Sequence, residues 1–526
     1  MKMNPKAIII LLVVIFLFSI AYYILTGFAL DLGPLFPDIF FPFSFFTHPY
    51  SRILVFGLAL SGALSLLFGL NRSNFKEQLL GCLAIISALG LTLANDLKTL
   101  FFFWELLTIS SSALILFNVK APQWVIYSGM RFFFMHLLGG LLLLFGILLH
   151  YAETGSMALE LPQSGIIFFI LGLGIKAAFI PFYLWIAWGY PAASIYSAVI
   201  LASLSTKVGV YVIARILPPL DYLVYMGVAM TVVGAGIALM QTNMRRLLSY
   251  SLMSQVGYMI AGVSIGSTLA VDGALLHAVS HMLYKALLFM CSAYVISVTG
   301  TEELSVHCKG SNEHGLINKP IWKLYPVVTV GALIASLSAA GIPPMSGFVG
   351  KTMLKEALYG FEHMKAALSI AGVVNIVVFC RFLYLGFLNK KTSTITSPSF
   401  FMNFTIVLAS LATVIIGIYP YVLANLLPYG TSLAIYSVPG LMSSLQVLAI
   451  GVLIYLCLNK YIERAIPFTS CLSIEKALLN PLIKYIYKAF KAMEKRESDF
   501  IVNIGNDQAL QFLLLLLLLF IMLMGF

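Results

Sequence analysis

The sequence predicts an all-α polytopic membrane protein of about 15 transmembrane helices, in which a five-helix unit containing a broken helix occurs twice. Three observations carry this prediction. Of the 526 residues, 61% are hydrophobic and 10% charged, whereas an ordinary soluble domain carries about 25% charged residues. Apolar runs of roughly 20 residues, the length that crosses a bilayer, recur along nearly the whole chain. Lysine and arginine gather in alternate loops, as the positive-inside rule requires of a polytopic protein.

In order, the apolar segments fall near 7–29, 50–71, 78–96, 97–117, 127–150, 164–187, 193–216, 222–241, 247–266, 270–297, 321–360, 364–389, 401–423, 441–458 and 508–526. The first is too long for the apolar core of a signal peptide and no small-residue cleavage site follows it, so it reads as a retained span. The 321–360 segment is too long to be one straight helix.

Alternating the loops from a cytoplasmic N-terminus tests the count. The inside loops then hold Arg72 and Lys76, Lys120, Arg245 and Arg246, Lys309 and Lys319, and Lys390 and Lys391. The outside loops near 151–163, 217–221 and 424–440 hold neither lysine nor arginine. This places the chain in the cell (inner or plasma) membrane, with the C-terminus outside.

The net charge of +11 is therefore a topology signal, with anionic lipid contact, and not a nucleic-acid patch. The six cysteines are scattered without a C-x-x-C pair, so neither a disulfide framework nor an iron–sulfur or zinc site is expected. Segment 459–507 differs in kind. Around 473–499 it mixes Ile, Leu, Tyr and Phe with Lys at helical spacing, which fits a basic amphipathic helix on the cytoplasmic face; a solvated basic linker is the plainer alternative.

Ionisable residues inside the apolar segments are the candidates for function, because each is expensive there. They are Glu105 in FFFWELL, Lys176 in GLGIKAAFIPFYLW, Lys207 in STKVGVY, His277, His281 and Lys285 in HAVSHMLYKALLF, and Lys351 in GIPPMSGFVGK. A buried carboxylate and lysine can remain charged as a pair. Separating them favours release of the lysine's proton. His277, His281 and Lys285 recur every fourth residue and share a helix face. Structural ion pairs and hydrogen-bonded interior histidines are the plainer explanations.

The backbone is also interrupted near two of these lysines. Lys176 precedes Pro181, and Lys351 follows Gly341-Ile-Pro343-Pro344. Paired breaks in two halves of a membrane protein are the sequence sign of an internal repeat with its ion path at the breaks. Lys176 lies on the fourth of five spans counted from 78–96, and Lys351 on the fourth counted from 222–241. The chain then divides into N-terminal spans (1–77), two five-helix repeats (78–216 and 222–389), accessory spans (401–458), the basic amphipathic segment (459–507) and a C-terminal span (508–526).

With RRLLSYSLMSQVGYMIAG, the motifs quoted above resemble, in order, those of the antiporter-like membrane subunits shared by Mrp-type cation/proton antiporters, respiratory complex I and membrane-bound hydrogenases. The resemblance covers about residues 78–390, and TKVGVY and the lysine of FVGK are most similar to the Mrp D subunit. It implies inverted repeats and a hydrated midplane axis. It also implies that Glu105 pairs with Lys176, that Lys207 passes protons to the centre, that His277 and His281 relay them, and that Lys351 is the terminal lysine. The family's glutamate usually lies on the fifth helix with the N-terminus outside. Here it is on the fourth with the N-terminus inside, so either an early span is absent or 30–47 is a short re-entrant substitute.

The expected function is that of a proton-translocating subunit, with Na+ as a candidate second ion, working beside other membrane subunits of an Mrp-type, complex I-like or hydrogenase complex. No cofactor, metal or redox centre of its own is expected. Alternatives are a quinone- or haem-binding electron-transfer subunit using His277, His281 or His136, a stand-alone secondary transporter, or a structural scaffold.

Overall fold

The computed structural model describes residues 5–25, 43–117, 122–162, 164–304, 319–358, 360–392, 399–431 and 436–471. Most of the 30–47 stretch, the amphipathic segment from 472 onward and the span 508–526 lie outside the described residues.

With no water to satisfy backbone groups in the hydrocarbon, apolar segments must close their hydrogen bonds internally as helices. Among the described residues, each apolar segment predicted up to residue 458 falls on helix, apart from breaks within 164–187 and 321–360. The helices are α1 (Pro5–Leu25), α2 (Pro49–Gly69), α3 (Phe75–Leu93), α4 (Leu97–Leu116), α5 (Gln123–Thr154), α6 (Ile166–Lys176), α7 (Leu184–Ala192), α8 (Ile195–Ile216) and α9 (Asp221–Leu239). They continue as α10 (Met244–Ile265), α11 (Thr268–Thr299), α12 (Ile321–Leu324), α13 (Pro326–Ala340), α14 (Ser346–Ala357), α15 (Glu362–Leu383), α16 (Phe400–Ile418) and α17 (Val438–Cys471).

Polar side chains set many of the starts. Asn74, Asp96, Ser194, Asn243 and Ser267 each accept a backbone N–H in the first turn of α3, α4, α8, α10 and α11. Such caps contribute about 1 kcal/mol each.

Among the described residues, ten helices are long and apolar enough to cross a membrane: α2, α3, α4, α5, α8, α9, α11, α15, α16 and α17, with α15 extended by a short π-helical turn. The protein is a multi-pass membrane protein. α10 falls outside this set because it carries Arg245, Ser249, Ser251, Ser254 and Gln255, and all of them are buried against protein. The long α11 is the hub, packed on α2, α8, α10, α13, α14 and α16. At the other extreme, α17 rests mainly on α15 and exposes most of its surface.

Two arginines also tie helix ends together. Arg245 pairs with Glu302 and donates to Ala193 O at 2.6 Å. The fully buried Arg381 donates to Leu239 O and Gln241 O at the end of α9 and forks onto Glu463 of α17.

Candidate functional site

The first broken span stops at Lys176 and resumes at Leu184. Pro181 has no N–H to continue the ladder, so carbonyls at the end of α6 need other donors. The Trp185 indole supplies one, donating to Ile175 O at 2.8 Å, while Phe179 N reaches Gly174 O at 2.8 Å. Lys176 is then free to turn toward α4. Its ammonium donates to Trp104 O at 3.3 Å and Thr108 Oγ1 at 3.2 Å, and lies 4.3 Å from the Trp104 ring centroid.

Magnitudes show why this arrangement is sustainable. Burying an ammonium in a membrane helix costs about 2.5–3.5 kcal/mol on insertion scales. Each charged hydrogen bond returns about 1.5–3 kcal/mol, and a desolvated cation–π contact about 2 kcal/mol. The site can hold Lys176 without a direct ion pair.

Glu105 lies between Trp104 and Thr108 in sequence and is 6% exposed. It interacts with the Lys176 charge through space. Yet the pair is absent from the ion pairs within 4 Å among the described residues. The reason is direction. The Glu105 carboxyl points at Gly140 of α5, where a Cβ would overlap Oε1. Oε1 has no hydrogen-bond partner there. Gly140 is thus the space that lets the carboxylate lie away from the lysine.

The second broken span is built the opposite way. α13 ends at Gly341, whose φ of 78° requires glycine or strain. Ser338 Oγ accepts from Gly347 N at 3.0 Å and lies 3.0 Å from Ser346 Oγ, stitching the two halves. Here the lysine itself serves the freed backbone: Lys351, on the downstream half, donates to Ala339 O at 2.6 Å.

Between the breaks lie the remaining predicted residues. Lys207 is fully buried on α8 and folds back onto Ala202 O of its own helix. Two residues on, Gly209 passes the first break so closely that a Cβ there would meet Ala177 N at 3.1 Å. Lys285 donates to Ser251 Oγ at 2.7 Å and Leu248 O at 3.1 Å, both on α10.

His277 and His281 are fully buried, with ring centroids 6.2 Å apart and no hydrogen-bond partner on any ring nitrogen. Tyr284 packs 5.2 Å from His281, and Tyr258 lies 6.1 Å from His277 and 5.2 Å from the Lys351 ammonium. His281 lies within the fields of Lys207, Lys285 and Lys351. The structure therefore brings Glu105 and Lys176 together around α4, and gathers Lys207, His281, Lys285, His277 and Lys351 around α11.

Several residues of this row had little sequence signal. His136, one turn before Gly140 on α5, is buried 4.4 Å from the Trp185 ring and feels the Lys176 charge. Its only signal was a lone histidine in an apolar segment. Trp104, Trp185, Tyr258 and Gly140 looked like ordinary apolar positions.

Fold and site together define a class: a multi-pass helical membrane protein with two broken helices and a buried ionisable row, of the kind that marks ion and proton pathways. The chain belongs to the family described as NADH:quinone oxidoreductase/Mrp antiporter, TM, which matches residues 94–378. It is 28% identical over 350 residues to the D subunit of the Na(+)/H(+) antiporter of Bacillus subtilis, covering 61% of this chain and 68% of that one.

Among solved structures it is similar to a chain of the Mrp complex from Dietzia sp. DQ12-45-1b, with a TM-score of 0.75 and 21% identity over 96% of this chain. It spans 58% of that longer chain. Respiratory complex I from Thermus thermophilus holds a similar chain, with a TM-score of 0.69 and 20% identity, covering 85% of this chain and 96% of that one. The family agrees with the resemblance read from the motifs.

Proposed function

We propose that the chain is a proton-translocating, antiporter-like subunit of a multisubunit membrane complex of the Mrp or complex I type, with Na+ as a candidate second ion. One observation carries the reading: buried ionisable side chains reach from one broken helix to the other through the hub helix α11. A structural scaffold gains nothing from burying so many ionisable side chains, each of which costs desolvation.

In this reading Glu105 and Lys176 form the switch. With the carboxylate turned to Gly140 the pair is apart; swinging it toward Lys176 stabilises the ammonium, and swinging it back releases a proton. Lys207 and His281 carry the proton inward, Lys285 and His277 continue the row, and Lys351 is the far station. The same reading makes 78–216 and 222–389 inverted repeats within about 15 crossings. It places the chain in the plasma membrane with the N-terminus cytoplasmic. The matches to the Mrp complex and to complex I support membrane subunits as partners.

The test is proton uptake by vesicles carrying the complex with Lys176→Ala. Uptake falls to background while the variant still inserts and assembles. Full uptake by a correctly inserted Lys176→Ala protein overturns the proposal.

A further inference from the structure

Lys351 borders a cavity of ≈ 20 Å³, room for about one water. Its lining includes Lys351, Thr352 and Lys355 of α14, Tyr258 of α10, Gly372 of α15 and Ser444 of α17. The walls are polar enough to hold a water: two lysines, Thr352 and Ser444 line it, and the Tyr258 hydroxyl, though donating to Leu368 O at 2.6 Å, keeps its lone pairs. Gly372 sets the size of the chamber. A Cβ there would meet only Val447 Cγ1 at 3.4 Å and Tyr258 Oη at 3.8 Å, so a longer side chain would grow into the cavity.

Lys355 makes the cavity more than a void. It lies four residues from Lys351, so the two share a face of α14 one turn apart. It is only partly buried, near the end of α14, and is absent from the ion pairs among the described residues. Beyond it in sequence come the exposed Glu356 and, in the first turn of α15, Glu362 and Lys365, paired at 3.9 Å. One lysine is therefore sealed against Ala339 O, the next stands at the edge of water, and a one-water chamber lies between them.

We propose that this chamber is the outlet of the proton row, with Lys355 as its surface station. The Lys351 ammonium gives a proton to the cavity water, which passes one to the neutral Lys355 amine. Lys351 is left neutral, and Lys355 then releases the proton to bulk water. α17 serves as the outer wall. The inference rests on reading Lys351 as the end of the row.

The test uses the full chain in its native membrane complex. Lys355→Ala and Lys355→Arg both slow proton uptake roughly tenfold or more, and Lys355→His restores it, because an arginine keeps the charge but cannot release its proton. Lys365→Ala, at the start of α15 and outside the cavity lining, leaves uptake unchanged. If Lys355→Arg supports the wild-type rate, the position needs only charge and the outlet is elsewhere.

A second measurement does not depend on transport. With the six native cysteines replaced, Ser444→Cys reacts with a membrane-impermeant thiol reagent, and adding Gly372→Leu slows that reaction, because the longer side chain fills the cavity. An unreactive Ser444→Cys, or one indifferent to Gly372→Leu, overturns the chamber. Lys351→Ala separates the two ideas: if it abolishes uptake while the Lys355 variants do not, only the outlet fails, and if it leaves uptake intact the row itself fails.

Discussion

The two broken helices solve one problem in opposite ways. At the first, a tryptophan from beyond the break caps the freed Ile175 carbonyl, and Lys176 is released to face α4 and the Glu105 carboxylate. At the second, Lys351 caps the freed Ala339 carbonyl itself and borders a water-sized cavity. The two breaks thus hold lysines with different neighbours, one near a carboxylate that lies against α5 and one bound to a backbone carbonyl of its own broken span. The lesson is that what caps the break decides what the lysine is free to do.

The largest effect should come from removing the carboxylate at the first break. Glu105→Gln lowers proton uptake about 10²-fold, the lower range for a positioned proton-transfer group. In a double-mutant cycle with Lys176→Ala the losses do not add. Additive losses would separate the two residues.

Next is the space that receives the carboxylate. Gly140→Val forces Glu105 out of its position against α5 and destabilises the protein by about 1–3 kcal/mol, read from thermal unfolding in detergent. It also lowers uptake, whereas substitution on a lipid-facing position of α5 does not.

The caps should differ as well. Trp185→Phe keeps the ring but leaves Ile175 O with the Ala178 N–H alone, at 3.1 Å, a loss of about 1 kcal/mol, and opens that carbonyl to Lys176. A cap-independent Lys176 would leave uptake unaltered in this variant. Comparable in stability is Gly341→Ala at the second break, where the left-handed backbone costs about 1–2 kcal/mol and the new Cβ meets Lys351 Cδ at 2.8 Å. Ser338→Ala, which loosens the stitch between α13 and α14, costs about 1 kcal/mol.

Much of this was legible in the letters. Long apolar runs can only be helices in lipid, so α2 to α5, α8, α9 and α11 were visible as segments, and Pro181 and Pro343-Pro344 marked the breaks. The intramembrane lysines announced themselves by cost. Element ends were less visible: α5 reaches from Gln123 to Thr154, beyond its predicted 127–150, because the residues that end it, Pro122 and the left-handed Gly155, lie outside the apolar run. The accessory span expected to close at 458 continues as α17 to Cys471.

Sequence alone determined that the chain spans a membrane, where its helices break and which residues are too costly to be incidental. These follow from local composition and backbone chemistry, which each segment carries by itself. Only the tertiary structure decided that Glu105 turns to Gly140 rather than to Lys176, that Trp185 frees one lysine while Ala339 holds the other, and that Lys355 stands beside a cavity. Those outcomes depend on which helices meet, because an ionisable group's partner in a low-dielectric interior is set by packing across tens or hundreds of residues of sequence.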